Sequence, residues 1–154
     1  MPLKIGDPAP SIELPGDGGQ YCTLDQYRGQ KIIVYFYPKD DTPGCTTEAC
    51  EFRDQLRAFN QINAFVLGIS RDSLKSHDKF KAKYGLTFPL LSDEEGVVCQ
   101  AYETWIEKSM YGKKYFGIER STFLIDEAGI IRQIWRKVRV DGHVQEVLKA
   151  LKEI

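Results

Sequence analysis

The run Lys31-Ile32-Ile33-Val34-Tyr35-Phe36-Tyr37 leads through Pro38-Lys39-Asp40-Asp41 into Thr42-Pro43-Gly44-Cys45-Thr46-Thr47-Glu48-Ala49-Cys50. The first segment is apolar, β-branched and aromatic almost without a break, the pattern of a central strand buried on both faces. Pro38 ends it, and Lys39–Gly44 reads as a loop. Thr42 is placed to cap a helix, with Pro43 at its first position, where a missing N–H costs nothing. Ala49, Phe52, Leu56 and Phe59 then recur at three- and four-residue steps, a helical stripe that faces a core.

Working outward, the first 20 residues are rich in Pro and Gly and read as turns, with short strands near Ser11–Leu14 and Tyr21–Thr23. Ala64–Ser70 is a second buried strand and Ser73–Tyr84 a polar, Lys-rich helix. Phe88–Leu91 reads as a short strand, Glu94–Tyr102 as a short helix, and Glu107–Lys114 as a loop or hairpin tip. Ser121–Asp126 and Ile130–Val138 flank the turn Glu127-Ala128-Gly129 as an antiparallel hairpin. Gly142–Lys152 closes the chain as an amphipathic helix. This order predicts an α/β fold with a layered, mixed central sheet flanked by helices, in one domain over residues 1–154.

Composition narrows the function. The 154 residues carry 21 Lys plus Arg against 22 Asp plus Glu, for a net charge of -1. A basic excess for nucleic acid is missing. No apolar run approaches the roughly 20 residues of a membrane span. The start of the chain shows no apolar signal-peptide core, so a cytoplasmic location is expected. Four cysteines (Cys22, Cys45, Cys50, Cys99) and two histidines suit redox chemistry better than a zinc site.

Cys45 falls in the first helical turn. Unpaired N–H groups and the helix dipole there favour a thiolate over a thiol. Gly44 leaves room for a small substrate, and Thr42 brings a hydroxyl one turn away. Cys50 lies five residues on. Helix geometry sets their Cα atoms roughly 8–9 Å apart, against about 4.4–6.8 Å for a disulfide. An intact helix cannot hold this disulfide, so oxidation of the pair requires the first turns to unwind.

Pro38-x3-Thr42-x2-Cys45 resembles the active-site motif of peroxiredoxins. Gly44-Cys45-Thr46-x-Glu48-x-Cys50 is similar to the bacterioferritin-comigratory-protein (peroxiredoxin Q) subgroup. The resemblance runs from Gly6-Asp7-Pro8-Ala9-Pro10 to Glu119-Arg120-Ser121-Thr122-Phe123-Leu124-Ile125-Asp126. It implies a thioredoxin-like fold and a thiol peroxidase for hydrogen peroxide and organic hydroperoxides. Cys45 matches the peroxidatic cysteine, Cys50 the resolving one, and Arg120 the arginine beside the thiolate. Thr42 and Arg120 are expected to position the peroxide, with Pro38 and Gly44 at the substrate. Cys45 becomes a sulfenic acid, Cys50 condenses with it, and thioredoxin or a similar dithiol reduces the disulfide. No metal, haem or flavin cofactor is implied. No Cys-bearing tail precedes Ile154, so a monomer is expected, with a dimer left open. Two rival readings share the reactive thiol: a thioredoxin-type disulfide oxidoreductase, and a redox-sensing or chaperone-type binding protein.

The remaining candidates have ordinary explanations. Cys22 and Cys99 read as structural thiols, with Cys99 an alternative resolving partner. His77 and His143 read as surface residues. Glu48 suits the first helical turn and could steady the active-site loop. Tyr35, Phe36, Tyr37 and Phe116 are candidate pocket walls, although strand aromatics usually belong to cores. The same core reading applies to Trp105 and Trp135. Lys108, Lys113 and Lys114 read as a solvated basic loop.

Overall fold

The computed structural model describes residues 2–154. The elements in chain order are β1 (Glu13–Pro15), β2 (Tyr21–Thr23), β3 (Lys31–Phe36), α1 (Pro43–Gln61), β4 (Ala64–Ser70), α2 (Leu74–Tyr84), β5 (Leu90–Ser92), α3 (Val97–Ala101), β6 (Trp105–Met110), β7 (Lys113–Ile118), β8 (Ser121–Ile125), β9 (Ile131–Trp135) and α4 (His143–Lys152). The central sheet has the order β5-β4-β3-β8-β9. β3 pairs parallel with β4 and antiparallel with β8, so the sheet is mixed. β1–β2 and β6–β7 form separate two-stranded sheets.

The apolar run of β3 works as a two-sided strand. Ile33, Tyr35 and Tyr37 face one core, with Ala49, Phe52 and Phe59 of α1, Phe80 of α2 and Val147 and Leu151 of α4. Ile32, Val34 and Phe36 face the other, with Ile12 and Leu14 near β1, Val98 of α3 and Tyr102. Period-two alternation on a central strand therefore feeds two cores. Each fully buried Leu, Ile or Phe contributes about 1.5–3 kcal/mol through removal from water.

The structure moves several boundaries. β1 lies at Glu13–Pro15 instead of Ser11–Leu14, and β5 starts at Leu90 instead of Phe88. α3 is only Val97–Ala101, because Gly96 precedes it in a left-handed conformation. β9 stops at Trp135, before Lys137, whose φ of 48° breaks the extended path. Residues 107–114 form the inner half of a full hairpin, with Trp105 paired to Ile118 and Met110 to Lys113. Ser73 caps α2 by accepting from the Ser76 N–H, and Gly85 ends it with a φ of 62°.

Candidate active site

β3 delivers the chain to the start of α1, and β8 runs antiparallel beside it with Ser121 opposite Phe36. Arg120, immediately before β8, therefore meets the first turn of α1. Its Nη2 lies 3.3 Å from the Cys45 sulfur, and its Nη1 donates to Glu48 Oε1 at 2.7 Å. Cys45 is 2% exposed and Glu48 is fully buried. One guanidinium thus serves a sulfur and a carboxylate that share a helix face, three residues apart. The planar fork of arginine can do this, and its charge favours negative charge on the sulfur.

Glu48 carries a burial penalty that Arg120 only partly offsets, which pushes its pKa up to about 7. Its second oxygen, Oε2, has no hydrogen-bond partner, and neither does the buried hydroxyl of Tyr35. Burial works against the charge on Arg120 as well, yet the adjoining Glu48 and Cys45 raise its pKa above the ordinary value.

Thr42 occupies the position that precedes α1, but its side chain does not cap the helix. Its hydroxyl donates instead to the Lys39 carbonyl at 2.8 Å. The hydroxyl oxygen keeps its acceptor capacity, and the N–H groups of Gly44 and Cys45 are left open for a ligand. Gly44 matters for a reason the sequence did not show. A Cβ there would lie 3.1 Å from Arg120 Nη2. The absent side chain makes room for the guanidinium.

The structure brings Thr42, Gly44, Cys45 and Arg120 together and adds Glu48. Pro38 is exposed and sits on the rim of an open cleft of about 470 Å³, beside Lys39, Trp105, Lys108, Tyr115 and Phe116. Cys50 stands on the same unbroken helix, half-buried and unpaired. By helix geometry its Cα is roughly 8–9 Å from that of Cys45.

Other expectations are corrected. His77 and His143 are not surface residues: they are 0% and 4% exposed. His143 Nε2 lies 2.8 Å from the Thr122 hydroxyl, and burial drives its pKa down to about 4. Tyr35, Phe36 and Tyr37 do not wall a pocket; each is at most 1% exposed in a core. Phe116 alone of the four lines the cleft. Lys108 is not part of a solvated loop. It is half-buried, donates to the Ile118 carbonyl, and has a pKa lowered by burial and then by Arg120. Cys99 packs in the core on the far side of the sheet from Cys45. Burial, and then Asp93, push its pKa upward. Glu48 was legible as a favourable helix-start carboxylate able to steady the active-site loop, but its partner Arg120, 72 residues away, was not.

A model of the AhpC/TSA family matches residues 5–134. Peroxiredoxin Bcp of Bacillus subtilis is 50% identical over 154 residues, covering 100% of this chain and 98% of that protein. Peroxiredoxin Bcp of Escherichia coli is 44% identical, covering 99% of this chain and 97% of its own length. Among solved structures, a cysteine-to-serine variant of peroxiredoxin Q from Xylella fastidiosa superposes with a TM-score of 0.94 at 48% identity, over 99% and 98% of the two chains. The bacterioferritin comigratory protein of Xanthomonas campestris, solved as a trapped intermediate/ligand complex bearing on its alkyl peroxide reduction, gives a TM-score of 0.89 at 50% identity, over 92% and 90%. The fold is the thioredoxin-like fold of these peroxiredoxins. The chain belongs to the AhpC/TSA family, within the peroxiredoxin Bcp/Q group, and is a thiol-dependent peroxidase.

Proposed function

We propose that Cys45 carries the peroxidase reaction and that Cys50 resolves it. The observation that supports this reading is the Arg120 guanidinium 3.3 Å from a buried sulfur at a helix start. The Cys45 thiolate attacks the terminal oxygen of a hydroperoxide, and the O–O bond breaks. The other oxygen leaves as an alkoxide or hydroxide and takes up a proton. Thr42 accepts a hydrogen bond from the peroxide O–H. Arg120 and the open N–H groups of α1 face the charge that develops on the departing oxygen. Cys45 is left as a sulfenic acid.

The first turns of α1 then unwind, and the Cys50 thiol displaces water to form the disulfide. A thioredoxin-like dithiol reduces it by exchange. The aromatic side chains of Trp105, Tyr115 and Phe116 in the cleft beside Pro38, which also holds Lys39, Arg71, Glu94 and Lys108, support organic hydroperoxides as substrates alongside hydrogen peroxide, in line with the alkyl peroxide reduction of the Xanthomonas relative. The 154 residues act as one domain, as a monomer, in a reducing cytoplasmic setting. Among the described residues, no helix is long and apolar enough to cross a membrane.

Peroxide titration with mass mapping tests the assignment. One equivalent should yield a Cys45–Cys50 disulfide in the wild type. Cys50→Ser should consume one equivalent and stop with an oxidised Cys45, unable to cycle with thioredoxin. A disulfide to Cys22 or Cys99, or full cycling by Cys50→Ser, would contradict the reading.

A further inference from the structure

Behind the loop that enters α1 lies a second buried polar cluster, which the peroxide chemistry leaves unused. Asp40 is 6% exposed. Its carboxylate accepts from the Tyr37 hydroxyl at 2.6 Å, the Ser76 hydroxyl at 2.8 Å and His77 Nδ1 at 2.7 Å. The other ring nitrogen of His77, Nε2, is 2.9 Å from the Leu91 carbonyl oxygen. Both neighbours of the ring are acceptors. Both nitrogens therefore donate, and the ring is an imidazolium against a carboxylate. Asp72 completes the cluster by accepting from the Asp40 N–H at 2.8 Å and the Ser70 hydroxyl at 2.6 Å. The ligand atoms of Asp40, Asp72 and His77 lie within 4.8 Å of one another. They are occupied by these hydrogen bonds, which favours an anchor over a cation site.

One residue further, the hold is of another kind. Asp41 has a φ of 59° and is exposed. It accepts from Lys83 Nζ at 2.9 Å and the Tyr84 hydroxyl at 2.7 Å. An exposed pair of this sort contributes little. α2 thus grips the loop tightly at Asp40, two residues before Thr42, and loosely at Asp41, immediately before it.

We propose that the Asp40–His77 anchor is a latch that favours the closed form of α1, so that His77 sets how Cys45 sulfenic acid divides between two fates. The inference rests on the Cys45 and Cys50 assignment above. In closed α1, a second hydroperoxide oxidises the sulfenic acid to sulfinic acid and leaves as water or alcohol. In opened α1, the Cys50 thiol displaces water and the disulfide forms. His77 is a positioning residue: it acts through Asp40 on the chain that sets Thr42 and Cys45.

The latch is sensitive to pH. Burial is the largest influence and disfavours the imidazolium, but the hydrogen bond and charge of Asp40, the Leu91 carbonyl and the charge of Asp72 together raise the His77 pKa. The titratable groups that face the ring are Asp40 and Tyr37 around the end of β3 and Asp72 after β4, while α2 offers Ser76 and β5 the Leu91 carbonyl. A raised histidine contributes its stability below its unfolded pKa and loses it as pH rises through the folded value. Alkaline conditions should release the latch.

The test compares wild type with His77→Gln and Ser76→Ala, by rapid quench and intact mass after excess hydrogen peroxide. His77→Gln should form the Cys45–Cys50 disulfide about tenfold faster and yield correspondingly less sulfinic acid. Its consumption of the first peroxide should be slower. Because an unfolded α1 would also slow the first step and speed the disulfide, the comparison is made on variants whose circular dichroism spectrum and cooperative thermal melt match the wild type. Ser76→Ala, which removes one bond to Asp40, should shift the partition the same way by about two- to threefold, and it carries the test if His77→Gln does not fold. The wild-type-to-variant ratio should approach one as pH rises. An unchanged partition in a folded His77→Gln, or in Ser76→Ala, would overturn the latch. Failure of the wild type to form the Cys45–Cys50 disulfide would overturn the site assignment instead.

Discussion

Cys45 and Cys99 are equally buried, at 2% and 0% exposure, and they sit on opposite faces of the same sheet. Their partners differ in charge. Cys45 faces the Arg120 guanidinium at a helix start, whereas Cys99 lies by the Asp93 carboxylate, which already accepts from the Cys99 N–H at 2.7 Å. Burial by itself disfavours a thiolate; a fixed cation can reverse this and a fixed anion reinforces it. The role proposed for Cys45 thus follows from the cation the fold places 3.3 Å from its sulfur, not from how much water reaches it.

The largest effect should come from exchanging the roles directly. Cys45→Ser should lower thioredoxin-supported peroxide consumption to background, at least about a thousandfold, while Cys99→Ser stays within about twofold. Comparable losses in both variants would erase the distinction.

Removing the cation should come next. Arg120→Ala deprives the Cys45 sulfur of its partner and leaves Glu48 buried without one. The rate of Cys45 oxidation by peroxide should fall about 10- to 1,000-fold in stopped-flow measurements. Arg120→Lys should recover only part of it, because a single ammonium cannot bridge sulfur and carboxylate as the fork does. Full recovery by lysine would reduce the role of Arg120 to charge alone.

A smaller effect sharpens the same comparison from the Glu48 side. With a pKa near 7, Glu48 holds its proton more tightly folded than unfolded. Its favourable contribution is present below the ordinary carboxylate range and is lost as pH rises towards about 7. Glu48→Gln cannot titrate. Its stability relative to wild type should therefore rise between about pH 4 and about pH 8, by a few kcal/mol at most, in paired denaturation curves. Parallel profiles would mean that folding leaves the Glu48 pKa unchanged.

Much of this frame was legible locally. The apolar run of β3, the Thr42-Pro43 helix start and the stripe Ala49, Phe52 and Phe59 are short-range patterns, and each marks its element. β4 and the β8–β9 turn are equally local. What was hidden depends on partners remote in the chain. Asp40 and His77 are 37 residues apart, and His143 meets Thr122 across 21. No periodicity marks a buried histidine whose acceptors come from other elements, so both rings read as surface. The hairpin β6–β7 was obscure for the opposite reason. Its side chains are largely exposed, with Tyr111 at 98% and Phe116 at 58%, so no alternation of burial shaped its sequence. At the site, Cys45 could be located from its motif, but the reason for Gly44 required the position of Arg120.

Redox state and helix are coupled at α1, which cannot hold the Cys45–Cys50 bond while it is a helix. Amide hydrogen exchange on reduced and peroxide-oxidised protein measures this coupling directly. Oxidation should abolish protection from Cys45 to about Arg53 while leaving Phe59 and β3 protected. Identical exchange across residues 45–53 in the two redox states would contradict it.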